Sequence, residues 1–403
     1  MIIGEKGQVG EGPIKDWSGL RSKILDRLFA EDSFDVLLSL DPDNCRYISG
    51  YRSMMADMSP HYRVGVVASR DRVVLVTSAG DLAAAREVLG STCDIVTYGE
   101  FYLWSEQEGM RSVGAHAEFD AALRSVLADF APAPRLAIDS TGTKALALNL
   151  DGMLRPGQVI APTDAVPRAR RLKFPEEIHL LGQAAAMLDA GLTLARGLVR
   201  EGATELDISG EIARLVSSRG GVARSLAITS GLRSGNVDAF ATPRAFEQGD
   251  LVRMDLSASY HGYWADMART VVVGESDQEQ EMLFGALLEG LDAGREVLRG
   301  QVTASAVFQA MMARVRDSGI ADYQRHHCGH GIGVTINEYP LIGPNSHVPI
   351  EPGMVLCIET PLYREGWGGM MAEDMVAVTI EGLLPLSAGP LDLHATSGMA
   401  ECQ

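Results

Sequence analysis

Two neighbouring stretches decide the fold, Asp250-Leu-Val-Arg-Met-Asp-Leu-Ser257 and Tyr260-His-Gly-Tyr-Trp-Ala-Asp-Met-Ala-Arg-Thr270. The first is typical of a strand in which Asp255 and Arg253 share one face. A turn at His261-Gly262 returns the chain, so Asp266 lies beside Asp255 on the paired strand. Two carboxylates in a mostly apolar sheet repel each other unless they are protonated or bridged by a cation. A turn or edge position for one of them would remove the conflict equally well.

Three later segments carry more residues of the metal-binding type. His330 stands between glycines in Arg325-His-His-Cys-Gly-His-Gly-Ile-Gly333, where a neutral imidazole nitrogen can reach a ligand. Glu359 is predicted to end one apolar strand and Glu373 to open another. Each of these residues alone fits a structural histidine or an edge charge, and His326 and His327 are given no role. The full candidate set is Asp255, Asp266, His330, Glu359 and Glu373.

The charge and chemistry of this set point to a pair of metal ions. Four carboxylates supply four negative charges, which two divalent cations neutralise. Oxygen donors with one imidazole nitrogen suit manganese, iron or cobalt, with manganese ranked first and zinc retained as an option.

The chain of 403 residues is long enough for two domains. Short apolar runs at 35–40, 64–68 and 72–77 alternate with helical stretches at 20–30 and 82–89, which predicts a smaller α/β domain over residues 1–165. A helix opening at Pro175, a capping pair at Thr204 and Asp207, and strand runs at 250–257, 264–273, 353–359 and 374–380 predict an α+β domain over residues 166–403.

Composition excludes several classes of function. With 35 Lys and Arg against 53 Asp and Glu, the net charge is −18, which repels a phosphate backbone and argues against nucleic acid. The five cysteines are scattered without a CxxC pair, so we expect neither a disulfide framework nor a zinc knuckle. No signal peptide or spanning apolar run is evident. We expect a cytoplasmic protein with no membrane partner.

The order Asp, Asp, His, Glu, Glu resembles the pita-bread metallopeptidases, which include methionine aminopeptidase, aminopeptidase P and prolidase, with creatinase as a non-metal relative. The specific motifs are Gly329-His-Gly-Ile-Gly333 and Gly262-Tyr-Trp-Ala-Asp-Met-Ala-Arg-Thr270, and the likeness extends from about residue 168 to 380. The first 160 residues, with Asn44-Cys-Arg-Tyr-Ile-Ser-Gly50, resemble the creatinase and prolidase N-terminal domain. The resemblance implies a pita-bread catalytic domain behind that smaller domain.

The resemblance also implies a role for each member of the set. Asp255 would bind one metal ion, Asp266 and Glu373 would bridge both ions, and His330 and Glu359 would complete the second position. A water between the ions would attack the substrate, and Glu359 would carry the proton to the leaving nitrogen. Relatives form homodimers, so we expect a homodimer here, in which the N-terminal segment 50–63, including His61, reaches a substrate.

Three positions depart from the peptidase pattern. The histidine expected seven residues after His330 is Asn337, and the one expected three residues before Pro243 is Phe240. Loss of such a hydrogen-bond donor can cost about 100-fold in rate. Met371 stands where the peptidases commonly have arginine. Asn337 retains an amide donor, His61 and Tyr263 are candidate substitutes, and Phe240 is a candidate apolar wall or else a core residue.

We therefore expect a dinuclear metallohydrolase that cleaves a C–N bond of a small amino-acid-like molecule or dipeptide. One alternative is a specialised non-peptidase, similar to ectoine hydrolase, creatinase or the dimethylsulfoniopropionate lyase of this superfamily. A further alternative is a binding protein on the same scaffold. The intact ligand set disfavours the binding protein.

Overall fold

A computed structural model describes residues 17–30, 34–59, 61–107, 109–130, 135–141 and 159–394. These residues form two compact units that divide between Arg170 and Arg171, beside the boundary predicted between residues 165 and 166. The helices are α1 (Trp17–Leu28), α2 (Pro42–Ser49), α3 (Met54–Met58), α4 (Leu82–Leu89), α5 (Phe119–Asp129), α6 (Ala165–Arg171), α7 (Pro175–Leu198), α8 (Glu205–Ser218), α9 (Gln278–Val297) and α10 (Ala304–Asp317).

The N-terminal unit has a mixed six-stranded sheet in the order β4-β3-β2-β1-β7-β8. The predicted apolar runs form β1, β2 and β3, whose residues are almost all buried. A separate hairpin pairs β5 with β6. The strands of this unit are β1 (Val36–Ser39), β2 (Gly65–Ala68), β3 (Val73–Ser78), β4 (Asp94–Tyr98), β5 (Tyr102–Ser105), β6 (Gly109–Ser112), β7 (Arg135–Asp139) and β8 (Val159–Thr163).

The C-terminal unit has an antiparallel sheet in the order β13-β12-β14-β15-β11-β10-β9, with β16 also paired to β15. This sheet carries all five predicted metal ligands. Its strands are β9 (Val222–Ser230), β10 (Leu251–Tyr260), β11 (Tyr263–Val272), β12 (Gly329–Gly331), β13 (Glu338–Leu341), β14 (Val355–Arg364), β15 (Gly368–Thr379) and β16 (Gly382–Pro385).

The predicted turn between β10 and β11 is a two-residue hairpin. His261 has a φ of 45° and Gly262 a φ of 80°, which is the conformation that a tight primed turn requires. Tyr260 pairs with Tyr263 across it. This turn sets the register of the two strands, and therefore the relative positions of Asp255 and Asp266.

The helix starts follow the sequence signals. Proline occupies the first turn of α7. At α8, the Thr204 hydroxyl accepts from the Asp207 amide at 3.1 Å, and the Asp207 carboxylate accepts from the Thr204 amide at 2.9 Å. This reciprocal capping satisfies donors that a helix start otherwise leaves unpaired.

The helices cover one face of the C-terminal sheet. The Thr360 hydroxyl on β14 donates to the Leu287 carbonyl on α9 at 2.9 Å, and the Tyr263 hydroxyl on β11 donates to Glu177 on α7 at 3.2 Å. The apolar core lies beneath α9 and α10 and includes Leu287, Leu291, Val307, Met311, Leu356, Ile358 and Val376. Side chains alternate along a strand, so residues one position away from these contacts face the opposite side.

The prediction for two strand ends was wrong. Glu359 lies in the middle of β14 and Glu373 in the middle of β15, and the two residues are direct partners in the ladder. The strands continue past the glutamates because Pro361, Met371 and their neighbours are buried and pair onward to the turn after Arg364. Both glutamates therefore lie inside the sheet rather than at its edge.

Two further features concern the chain's cysteines and its most apolar helix. Cys45, Cys93, Cys328 and Cys357 are buried free thiols, whereas Cys402 lies outside the described residues. By length and composition α7 could cross a bilayer, but 61% of its most apolar window is buried. It packs on β10, β11 and α8, as the core helix of a globular domain does.

Candidate metal centre

The register of the sheet brings the predicted ligands onto one face. Asp255 pairs with Ala268, Ala268 with Glu373, and Glu373 with Glu359. This row crosses four adjacent strands. Asp266 lies two residues before Ala268, so it is a diagonal neighbour of Asp255 on the same face rather than its direct partner.

Three carboxylates converge at the centre of this row. Oxygen atoms of Asp255, Asp266 and Glu373 all lie within 4.8 Å of one another. Asp266 and Glu373 are buried. Neither carboxylate oxygen of Glu373 has a hydrogen-bond partner among the residues that the structure describes. A buried carboxylate with both oxygens unsatisfied is costly, so a bound cation accounts for this arrangement better than packing does.

The pKa shifts of these carboxyl groups show that the protein alone disfavours their charged forms. Burial raises the pKa of Asp266 and of Glu373 well above the usual value, and the neighbouring carboxylates add to the shift. Loss of hydration raises the pKa of Asp255 to about 6, although the Arg253 guanidinium opposes the shift. A divalent cation would reverse these shifts by stabilising the charged forms.

His330 lies on β12 opposite Cys357, which places it on the same face as the carboxylates. Its Nδ1 is 3.0 Å from the Gly331 carbonyl, a contact that assigns the proton to Nδ1 and leaves Nε2 as a free base. That Nε2 lies 3.8 Å from Asp266 Oδ2. Burial lowers the pKa of His330, so the ring is the neutral form that binds metal ions.

The glycines around His330 permit this geometry. Gly329 has a φ of 136°, and a side chain there would lie 2.1 Å from the Cys357 carbonyl. A side chain at Gly331 would lie 2.5 Å from the Tyr339 carbonyl. Both strands that flank β12 therefore approach its backbone directly, which fixes the position of the imidazole.

Glu359 is buried beside Glu373, and its Oε1 lies 3.0 Å from His327 Nδ1. The sequence analysis gave His327 no role, yet the structure brings it to a predicted ligand. The spacing gave no signal for it, because His327 precedes His330 by three residues and an odd spacing in an extended chain places side chains on opposite faces. The sequence alone does not show in which direction the imidazole ring of His327 points.

The residues present fit a divalent metal centre. Four carboxylates and one neutral imidazole lie on a single face. Two groups of three residues have ligand atoms within 4.8 Å of one another: the first is Asp255, Asp266 and Glu373, and the second is His330, Cys357 and Glu373. Oxygen and nitrogen donors of this kind bind manganese, iron, cobalt or zinc.

Arg253 is a buried cation beside this centre that the sequence analysis did not assign. Its guanidinium donates to Asp255 Oδ2 at 3.2 Å and to the carbonyls of Ser234, Asn236 and Val237 at 3.0, 2.6 and 2.7 Å. It therefore holds the segment that leads to Phe240 next to Asp255.

The ring of Tyr363 lies between two guanidinium groups. The Cζ atoms of Arg253 and Arg325 are 5.4 and 5.5 Å from the ring centroid, within the range of a cation–π contact. Arg325 Nε is buried without a hydrogen-bond partner. Tyr363 is two strand positions beyond Pro361 and four beyond Glu359, so it shares their face.

The predicted substrate residues lie in different environments. Asn337 is exposed and follows Ile336, whose backbone carbonyl interacts with His330. Phe240 is 93% exposed, so the alternative of a core residue is wrong, and its role as an apolar wall of the substrate site stays a prediction. Tyr263 is buried with its hydroxyl on Glu177, on the helix-covered face, so the structure does not bring it to the cluster. His61 is exposed in the N-terminal unit, and its role stays a prediction.

Fold and site together define a two-domain protein with a buried carboxylate and imidazole centre on an antiparallel sheet. Residues 179–380 match the family model described as metallopeptidase family M24, and residues 21–172 match the creatinase/prolidase N-terminal domain. The chain belongs to metallopeptidase family M24. The predicted family and fold are confirmed.

Similar proteins include Xaa-Pro dipeptidases. That of Pyrococcus furiosus is 31% identical over 221 residues, 54% of this chain and 64% of that enzyme. That of Lactobacillus helveticus is 29% identical over 231 residues, 57% of this chain and 63% of that enzyme. The alignments thus span slightly less than two thirds of these relatives.

Solved structures extend the likeness of fold to nearly the whole chain. The Xaa-Pro dipeptidase from Bacillus anthracis has a TM-score of 0.77 at 23% identity, covering 94% of this chain and 99% of that one. The prolidase from Pyrococcus furiosus has a TM-score of 0.73 at 25% identity, covering 92% and 99%.

Proposed function

We propose that the protein is a metal-dependent hydrolase that cleaves the C–N bond of a dipeptide or a similar small amino-acid derivative. The observation that carries the proposal is Glu373, a fully buried carboxylate with two unpartnered oxygens among three other carboxylates and an imidazole. Asp255, Asp266 and Glu373 would hold one ion, and His330 and Glu359 would complete a second position. When bound, the ions polarise a carbonyl and acidify a water.

The protein's own residues supply positioning and proton transfer. The Glu359 carboxylate, whose Oε1 lies 3.0 Å from His327 Nδ1, would carry a proton to the leaving nitrogen. Arg253 holds Asp255 in place through a 3.2 Å hydrogen bond. The Gly331 carbonyl fixes the tautomer of His330.

Two features favour a substrate with a free carboxylate. The Arg325 guanidinium is partly buried, lies 5.5 Å from the centroid of the Tyr363 ring, and has an Nε without a partner among the described residues, so it is a candidate donor to an anion. Arg325 would thereby supply the positive charge that the peptidases commonly carry at the position of Met371. The names of the relatives, Xaa-Pro dipeptidases, make a dipeptide the first substrate to test.

A specialised non-peptidase is the second candidate, and a specific observation favours it. Phe240 and Asn337, at the two positions where the peptidases carry histidine, are both exposed, and neither offers an imidazole. A binding protein on this scaffold is the third candidate. The presence of all five predicted ligands on one face of the sheet disfavours it.

The remaining expectations are part of this proposal. Manganese is the first metal to test, and iron, cobalt and zinc follow. The net charge of −18 argues against nucleic acid as a partner. We further propose a homodimer in the cytoplasm, without membrane association.

One assay separates the candidates. Purified protein loaded with manganese is offered Xaa-Pro dipeptides, small cyclic amides, amidines and sulfonium compounds. Turnover of Xaa-Pro dipeptides that Asn337→Ala abolishes would establish the peptidase. Turnover restricted to the small compounds would establish the specialised enzyme. Absence of both metal binding and turnover would favour the binding protein. Activity that survives Asp266→Ala would contradict the proposed chemistry.

A further inference from the structure

One buried cysteine lies among the metal ligands without a role in the proposed chemistry. Cys357 is on β14, two residues before Glu359, and is the direct partner of His330 on β12. Its exposed fraction is 0%. Its Sγ, a ring nitrogen of His330 and a carboxylate oxygen of Glu373 all lie within 4.8 Å of one another.

A second observation shows that these atoms surround a place for a ligand. Both oxygens of Glu373 are buried and unpartnered, and Glu373 is only 1% exposed. The hydrogen bond of His330 Nδ1 with the Gly331 carbonyl leaves Nε2 as the unprotonated nitrogen of the ring. Sγ itself has only a long contact, 3.7 Å, with the Asp266 carbonyl. Sulfur, nitrogen and oxygen donors thus converge with little else to bind.

We propose that Cys357 is a sulfur ligand of the metal ion on the His330 side of the centre. The inference rests on the proposed metal centre and adds a donor to it. In a tetrahedral site, metal–sulfur and metal–nitrogen bonds of about 2.3 and 2.0 Å place the two donors about 3.5 Å apart. Donors already within 4.8 Å need only a small inward movement. Binding releases the thiol proton to solvent.

The chemical consequence is a change in metal preference. A thiolate is a soft donor, which favours zinc, cobalt or iron over manganese, whereas carboxylates alone favour the harder ion. The position held by Asp255 and Asp266 has oxygen donors only. The two positions of the centre therefore differ, and the His330 position selects the softer metal.

Cobalt tests the proposal directly, because a cobalt–thiolate bond gives a near-ultraviolet charge-transfer absorption that oxygen and nitrogen ligands do not give. Metal-free protein is titrated with cobalt while bound metal is counted by mass spectrometry. The variant is Cys357→Ser. The matched control is Cys328→Ser, which removes another fully buried cysteine two residues before His330.

The proposal expects the absorption in the wild type and in Cys328→Ser, and its loss in Cys357→Ser. It also expects the preference for zinc over manganese to fall at least about 10-fold in Cys357→Ser, since loss of outer partners alone costs about 10–100-fold in affinity. X-ray absorption of the zinc-loaded wild type needs no variant and should show sulfur at about 2.3 Å.

The outcomes separate this inference from the proposed function. Bound cobalt without the charge-transfer absorption, or a zinc spectrum with only oxygen and nitrogen neighbours, overturns the role of Cys357 and leaves the metal centre intact. Protein that binds no metal overturns both. An absorption that Cys328→Ser removes and Cys357→Ser retains assigns the bond to the wrong cysteine and also overturns the inference.

Discussion

Replacing Glu373 with glutamine distinguishes a metal centre from an ordinary buried acid. In the metal-free protein, burial and the nearby carboxylates raise the pKa of Glu373 well above its usual value. Protonating a carboxyl group with a usual pKa of about 4.3 costs about 4 kcal/mol at pH 7, at 1.36 kcal/mol per pH unit, and this sets the upper limit of the penalty at Glu373. Glutamine has nearly the same shape and carries no such cost.

We therefore expect metal-free Glu373→Gln to be more stable than the metal-free wild type at pH 7. The gain should be about 1–3 kcal/mol, because an unsatisfied buried amide recovers only part of the 4 kcal/mol. The wild type should gain about 2.7 kcal/mol when metal is present at 100 times its Kd. The variant should lose most of that gain, because it lacks a carboxylate shared by both positions.

The assay is urea unfolding of both proteins, once with a chelator and once with saturating manganese or zinc. Glu365→Gln is the matched control, because Glu365 is exposed in the turn between β14 and β15. Glu365→Gln should change neither the free energy of unfolding in chelator nor the gain in stability when metal is added. A Glu373→Gln protein that is less stable without metal, yet as strongly stabilised by metal as the wild type, would refute the reasoning.

Three further predictions follow from contacts of single residues. Burial raises the pKa of several carboxyl groups, and that of Asp255 to about 6, so above about pH 4 the folded metal-free protein binds more protons than the unfolded chain. Its free energy of unfolding in chelator should therefore fall from about pH 5 to pH 7, and a rise over that interval would contradict the prediction. Lys173→Met should lower the free energy of unfolding by about 3–5 kcal/mol in chemical denaturation, because it removes the cation that lies 2.8 Å from the buried carboxylate of Glu338. The double variant Lys173→Met, Glu338→Gln should recover most of this loss. Arg325→Met should raise KM for a dipeptide about 10–100-fold, the worth of a charged hydrogen bond, and leave a C-terminally amidated analogue unchanged; equal effects on both substrates would exclude carboxylate binding.

The sequence predicted the strands of the sheet and the shared face of the predicted ligands, because strand alternation determines the face of each residue. Asp255 and Asp266 were assigned to one face from the hairpin signal at His261-Gly262, and the structure places them there. The ligands His330 and Glu373 were identifiable by residue type and by the resemblance. Their exact partners were not, because register depends on backbone pairing across distant segments.

Residue type and spacing alone did not reveal the contacts of Cys357 and Arg253. Cys357 was counted only among scattered cysteines, and its position opposite His330 follows from the pairing of β12 with β14. Arg253 was assigned to the face of Asp255, but not as its partner. Phe240 was expected either to line the substrate site or to pack in the core, and its 93% exposed ring excludes the core position.

Anomalous scattering from crystals grown with manganese tests the metal centre most directly. We predict two peaks about 3.5–4 Å apart, one contacting Asp255 and the other contacting His330 and Glu359, with Asp266 and Glu373 touching both. Crystals that take up manganese only elsewhere, with the Glu373 oxygens contacting no ion, would contradict it.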